Sequence, residues 1–104
     1  MYQIDDQQIK EAVKIAKLLS HPVRVIILTL LKNNECTVSQ LVDKLDLDQS
    51  AISHQIQLLK EENLLSARRE GKQIFYKLDD SHILETLQGI LDHANHVIKI
   101  KEQK

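Results

Sequence analysis

Two short runs of helically spaced apolar residues, Val38, Leu41, Val42 and Leu45, then Ile52, Ile56, Leu58 and Leu59, are separated by little more than Asp46-Leu47. Apolar residues three and four apart mark one face of a helix, so two helices must meet across a connection with room only for a tight turn. Asp48 stands at the start of the second helix, where a carboxylate can accept the backbone N–H groups that a helix start leaves unpaired. Gln49, Ser50, Ser53, His54 and Gln57 fall on the outward side of that helix. They carry hydrogen-bonding rather than charged groups, the chemistry that reads base edges. The pair is a helix-turn-helix, expected over about Thr37–Leu45 and Asp48–Glu62.

The apolar period then changes. Leu64 to Arg69 and Gln73 to Leu78 flank Glu70-Gly71, where glycine can take the positive φ that a hairpin turn demands. This hairpin reads as a wing, with Arg68, Arg69 and Lys72 near its tip, suited to phosphates or the minor groove.

Helices are expected on both sides of this unit. Ile9, Val13, Ile15, Ala16, Leu18 and Leu19 give a first helix from about Asp6 to Leu19 with more than one apolar face, which must be covered on two sides. Ser20 or His21 can cap a buried second helix reaching about Lys32, with Pro22 in its first turn, where the missing N–H costs nothing. From Asp79 or Asp80, the residues Ile83, Leu84, Leu87, Ile90, Leu91, Ala94, Val97 and Ile98 spread a broad apolar face over a last, long helix. The fold class is mainly α with a small β-hairpin: a winged helix-turn-helix occupying residues 1–104 as one domain, with dimerisation helices at both ends.

With 104 residues and only three aromatic side chains, Tyr2, Phe75 and Tyr76, the chain can build only a modest aliphatic core. Small domains of this kind often gain stability by association, which makes a homodimer the expectation. The net charge of −1 does not announce a nucleic-acid partner, but from Gln49 to Lys77 five cations face three glutamates. A local positive surface is all that phosphate contact needs. The first residues have neither the basic start nor the apolar run of a signal peptide, and no stretch approaches the roughly 20 apolar residues of a membrane span, so a cytoplasmic protein without a membrane partner is expected. Cys36 has no second cysteine for a disulfide or a metal clip, and reads as a small buried or half-buried residue.

Four potential metal ligands mark the last helix, as Asp80-Ser81-His82 and His93-Ala94-Asn95-His96. Alone, Asp79 or Asp80 is a helix cap and an isolated pair of histidines is polar surface. His93 and His96 are three apart and face the same way, about 5 to 6 Å apart at Cβ, close enough to share an ion. His82 and His93 share an azimuth but are separated by about 16 Å along the axis, so both ends of one helix cannot ligate the same ion. In an antiparallel pair of such helices, Asp80 and His82 of one chain meet His93 and His96 of the other, and two-fold symmetry gives two sites. Gly89 lies on the same stripe near its midpoint, where two helices need a small residue. Three imidazoles and one carboxylate suit tetrahedral Zn²⁺ or Co²⁺, with no position left for a catalytic water. No nucleophile, base and open metal position converge, so the chain is not expected to be an enzyme.

The stretches LLSHPVRVIILTLL, DLDQSAISHQIQLLKEENLL and ARREGKQIFYKL resemble the corresponding blocks of the ArsR/SmtB metal-responsive repressors, over roughly Ile9 to His96. The resemblance implies that the fourth helix enters the major groove of operator DNA and that the first and last helices form the dimer interface. The D-x-H and H-x-x-H pairs are similar to the fifth-helix site of the zinc- and cobalt-responsive branch. The thiolate site that other branches place on the third helix has no counterpart around Cys36. On this resemblance a metal-free dimer represses and a metal-bound one lets go, the regulated genes serve metal efflux or detoxification, and a backbone carbonyl near Asn63 accepts from a liganding histidine. Two other readings fit the residues alone: a protein-interaction module with a structural zinc, and a repressor answering a different signal.

Overall fold

The computed structural model describes residues 4–103; Tyr2 and the rest of residues 1–3 and 104 in the expected domain lie outside it. Five helices and one hairpin follow in the order α1 (Asp6–Leu18), α2 (Pro22–Leu31), α3 (Val38–Leu45), α4 (Gln49–Glu61), β1 (Ser66–Glu70), β2 (Gln73–Lys77) and α5 (Ser81–Glu102). This is a winged helix-turn-helix.

Side chains set most helix starts. Asp5 accepts from the amides of Gln7 and Gln8 at the head of α1, and His21 Nδ1 accepts from Val23 ahead of the Pro22 turn of α2. Thr37 and Gln40 form a reciprocal capping box at α3, each bonding the other's backbone. Asp48 caps α4 through the Ala51 amide at 2.8 Å. Between α3 and α4 the chain turns at Asp46, whose φ of 54° is left-handed, a conformation that aspartate tolerates better than most residues. Left-handed Asn63 ends α4, and Gly71 supplies a φ of 63° at the hairpin turn.

The core is aliphatic and continuous. Ile27, Leu28 and Leu31 of α2, Leu41 of α3, Ile52, Ile56 and Leu59 of α4, and Ile83 and Leu87 of α5 are buried together with Leu64, Tyr76 and Leu78. Of the inward residues expected of α3 and α4, Leu41, Ile52, Ile56 and Leu59 are buried, Val38, Val42 and Leu45 are half-buried against the core, and Leu58 is half-buried; α2, expected to be buried, leaves Ile26 exposed.

Two features go beyond the sequence pattern. Cys36 pairs with Tyr76 through hydrogen bonds in both directions, 3.0 and 2.8 Å, laying a one-residue third strand along the hairpin and burying the thiol. The second is α1, which buries no residue within the chain: Ile9 and Val13 are exposed and only Ile15 and Leu18 are half-buried. One chain therefore supplies only part of the cover that its two apolar faces require. The outer side of α5 is similar, with Ile90, Ile98 and Ile100 exposed.

Candidate DNA interface and metal centre

The capped start of α4 projects Gln49, Ser50, Ser53, His54 and Gln57 outward, and all five are exposed. Ser50 bonds back to the Asp48 cap at 3.2 Å, whereas Ser53, His54 and Gln57 make no side-chain hydrogen bond among the described residues. Gln55, between them, turns inward instead. Its carbonyl oxygen accepts from Arg24 at 3.1 Å, while the same guanidinium donates to the carbonyls of Leu18 (2.8 Å) and Lys17 (3.2 Å) at the end of α1. Arg24 thus ties the reading helix to α1, a role with no local sequence signal.

A depression of about 310 Å³ separates the head of α4 from the wing, lined by Thr37, Ser39, Gln49, Lys72, Gln73 and Ile74 among others. It places Gln49 and Lys72 on one surface, so the polar outward face of α4 and the basic hairpin turn lie side by side. The wing cations differ in their engagement. Arg69 donates only to the Gly71 carbonyl, at 3.1 Å, and Lys72 has no ion-pair or hydrogen-bond partner among the described residues. Arg68 is held by Glu35 at 2.9 and 3.2 Å and by Glu70 at 2.7 Å, with its guanidinium 4.7 Å from the centre of the Phe75 ring. Bonding to Arg68 keeps Glu35 below the usual carboxylate range, and the two carboxylates push Arg68 further above its own.

The four candidate ligands occupy both ends of α5. Asp80 Oδ1 caps the helix through the Ile83 amide at 3.1 Å and lies 3.6 Å from His82 Nδ1; Oδ2 has no partner among the described residues. The capping bond thus leaves Asp80 close to His82. The His82 side chain is 92% exposed, so no group of its own chain covers it. Eleven positions on, the rings of His93 and His96 lie with centroids 5.9 Å apart, both exposed. Two ligand atoms on one tetrahedral zinc are roughly 3.3 Å apart and two imidazole centres roughly 5 Å, given metal–nitrogen bonds of about 2.0–2.1 Å. Each pair on this helix is close to that spacing, and the donor set fits zinc. Within one chain no three potential ligands converge among the described residues. No side chain lies within 4 Å of a Cβ built on Gly89, between the two pairs.

Comparison with known proteins places this arrangement among bacterial regulators. Residues 21–67 match the family described as bacterial regulatory protein, arsR family. The chain is 32% identical to the HTH-type transcriptional regulator NmtR of Mycobacterium tuberculosis over 90% of its own length and 78% of the relative's. It is 34% identical to the biofilm growth-associated repressor of Agrobacterium fabrum, over 82% and 75% of the two chains. Its fold superposes on NolR from Sinorhizobium fredii with a TM-score of 0.79 and 26% identity, covering 88% of this chain and 95% of that one. None of its described helices is long and apolar enough to cross a membrane.

Proposed function

This chain belongs to the arsR family of bacterial regulatory proteins, and from that premise we propose a DNA-binding transcriptional repressor that holds its operator as a metal-free homodimer and releases it when zinc or cobalt binds between the C-terminal helices. Being a transcriptional regulator, it is not an enzyme. The observation that carries the metal reading is the split ligand set on α5: Asp80 and His82 at one end, His93 and His96 at the other, each pair spaced for one ion and lacking the other half. The exposed apolar residues Ile9 and Val13 of α1 and Ile90 and Ile98 of α5 support a dimer, because a second copy would cover both faces. In an antiparallel pairing of α5 helices, Asp80 and His82 meet the partner's His93 and His96, and Gly89 lets the axes approach.

In this reading, Gln49, Ser50, Ser53, His54 and Gln57 face base edges in the major groove, while Arg69 and Lys72 reach the backbone beside them. Two such heads, about one turn of DNA apart, require a two-fold-symmetric operator. Bound zinc would supply a bridge that fixes the relative placement of the two α5 helices. Leu87 and Ile83 carry any shift of α5 into the core shared with Ile52, Ile56 and Leu59 of α4, and so to the spacing of the reading heads. Residues 1–104 act as one such unit.

The direct test is a titration of zinc into the protein bound to a palindromic duplex selected by the metal-free protein from a random pool. Release at two zinc ions per dimer supports the reading. Zinc binding with unchanged affinity for the duplex would leave a DNA-binding regulator answering another signal, and no selectable duplex at all would leave an interaction module.

A further inference from the structure

The wing holds three cations near its tip, and one of them is already spent. Arg68 has five N–H groups to give; Nε and an Nη2 hydrogen go to the two oxygens of Glu35 and an Nη1 hydrogen goes to Glu70. One positive charge therefore faces two negative ones, which lowers the attraction of that point for phosphate. The strand register explains the geometry. Arg68 of β1 stands opposite Phe75 of β2, and Cys36 pairs with Tyr76 on the other side of β2. Because that bridge is antiparallel, Glu35 comes across from Lys77, on the same side of β2 as Phe75, and the Arg68 side chain crosses the Phe75 ring diagonally to reach it.

Arg69 and Lys72 are arranged differently. Successive strand residues point to opposite faces, so Arg69 leaves the hairpin on the side away from Arg68. Lys72 lies in the turn beside Gln49, the first residue of the reading helix.

We propose that Glu35 and Arg68 form a latch that holds the wing hairpin to the segment between α2 and α3, making Arg68 a positioning residue rather than a DNA contact. The latch joins the wing to the residues immediately before the Thr37 cap of α3, so it fixes the hairpin relative to the whole helix-turn-helix. A two-stranded hairpin alone is marginally stable in water; this one is anchored at its base by the buried Leu64, Tyr76 and Leu78 and by the Cys36 bridge, and the Glu35–Arg68 pair adds a tie along its outer face. The phosphate-neutralising role on the wing then falls to Lys72 and Arg69. The latch itself stands on the ion-pair geometry alone, and only the salt arm of its test rests on the DNA-binding reading.

Two measurements on R68Q, K72Q and the unaltered full chain decide it. Hydrogen exchange of the amides from 67 to 76 should speed up by roughly three- to tenfold in R68Q, as expected for losing two exposed ion pairs and a cation–π contact, and stay unchanged in K72Q. The salt dependence of binding to the selected duplex should lose about 0.9 of a logarithmic unit per subunit-phosphate contact in K72Q, and none in R68Q. Wing amides that exchange at the unaltered rate in R68Q would overturn the latch, and so would a slope that falls in R68Q as it does in K72Q. If the unaltered chain selects no duplex, the regulator reading fails while the exchange result still judges the latch. A merely destabilised fold would speed exchange in the buried amides of α2 as well, and E35A, which removes both acceptor oxygens and leaves Arg68 in place, should reproduce the wing-confined effect.

Discussion

Arg24 Nη1 donates to Gln55 Oε1 at 3.1 Å while Nε of the same side chain donates to the Leu18 carbonyl at 2.8 Å. One planar guanidinium therefore closes the C-terminal end of α1 and braces α4 on the side away from its reading face. Helix ends leave carbonyls unpaired, and a cation there also meets the negative end of the helix dipole. In the proposed dimer α1 belongs to the interface, so this contact is a short mechanical route from interface to reading head.

Replacing Arg24 by methionine removes three hydrogen bonds but keeps the apolar stem, and should destabilise the fold by about 2 kcal/mol, read by urea denaturation. Q55A cuts only the connection to α4. It should change stability by less than about 1 kcal/mol yet weaken binding to the selected duplex several-fold. Equal affinity for the duplex in Q55A and the unaltered protein would show that the brace does not position the reading helix.

On α4 itself, Ser53→Ala or His54→Ala should each weaken specific binding by about 1 to 3 kcal/mol without affecting stability, because both side chains are exposed and make no side-chain hydrogen bond among the described residues. Anisotropy titrations against specific and scrambled duplexes separate the effects: base readers lose discrimination, phosphate contacts lose both affinities alike. Two variants with undiminished discrimination would remove the reading face from this stretch.

The order of elements was legible because each helix announces its own start. Asp48 and Asp80 are short polar residues directly ahead of an apolar period, and both cap as expected; Thr37, read as the first residue of its helix, proves to be its cap. Tight spacing fixed the helix-turn-helix, and Gly71 fixed the hairpin. Contacts between distant segments left no such mark. Cys36 is a single bridging residue with no alternation to detect, and Glu35 and Arg68 are 33 positions apart, so nothing local distinguishes Arg68 from its neighbour Arg69. Helix periodicity puts the candidate ligands at opposite ends of α5, as the structure shows, and their convergence on one ion belongs to the proposed dimer.

Glu62 ends α4 beside Glu11 of α1, and the Glu11 carboxyl holds it above the ordinary carboxylate range, with burial adding in the same direction and Lys14 opposing. A carboxyl whose value is raised on folding contributes stability below its unfolded value of about 4.3 that is lost as pH rises through the folded value. At neutral pH the like-charge contact is thus unfavourable. E62Q should melt slightly higher than the unaltered protein at pH 7, and the difference should shrink or reverse as pH falls through the carboxylate range. Melting curves that differ by the same amount at pH 4 and pH 7 would mean that the two carboxyls do not interact.

The metal site gives the sharpest expectation, since it depends on which chain supplies which ligand. A D80A/H82A homodimer keeps His93 and His96 at both interface sites but lacks the opposing pair at each; an H93A/H96A homodimer has the converse defect. Neither should hold zinc in a complete tetrahedral site, and both should keep binding the selected duplex when zinc is present. Mixed subunits behave differently. A heterodimer places the intact Asp80 and His82 of one chain against the intact His93 and His96 of the other, which rebuilds one site, while the second site joins the two damaged halves and stays empty. Cobalt absorption reports this directly, because tetrahedral coordination absorbs far more strongly than octahedral. The expected result is one tetrahedral cobalt per heterodimer and none in either parent homodimer. If all four ligands acted within one chain, each variant would be damaged in every chain and mixing would rescue nothing; the roughly 16 Å between His82 and His93 along α5 excludes that arrangement on geometric grounds. Full-strength tetrahedral binding by either homodimer would instead show that two ligands and solvent suffice, and the assignment between subunits would be wrong.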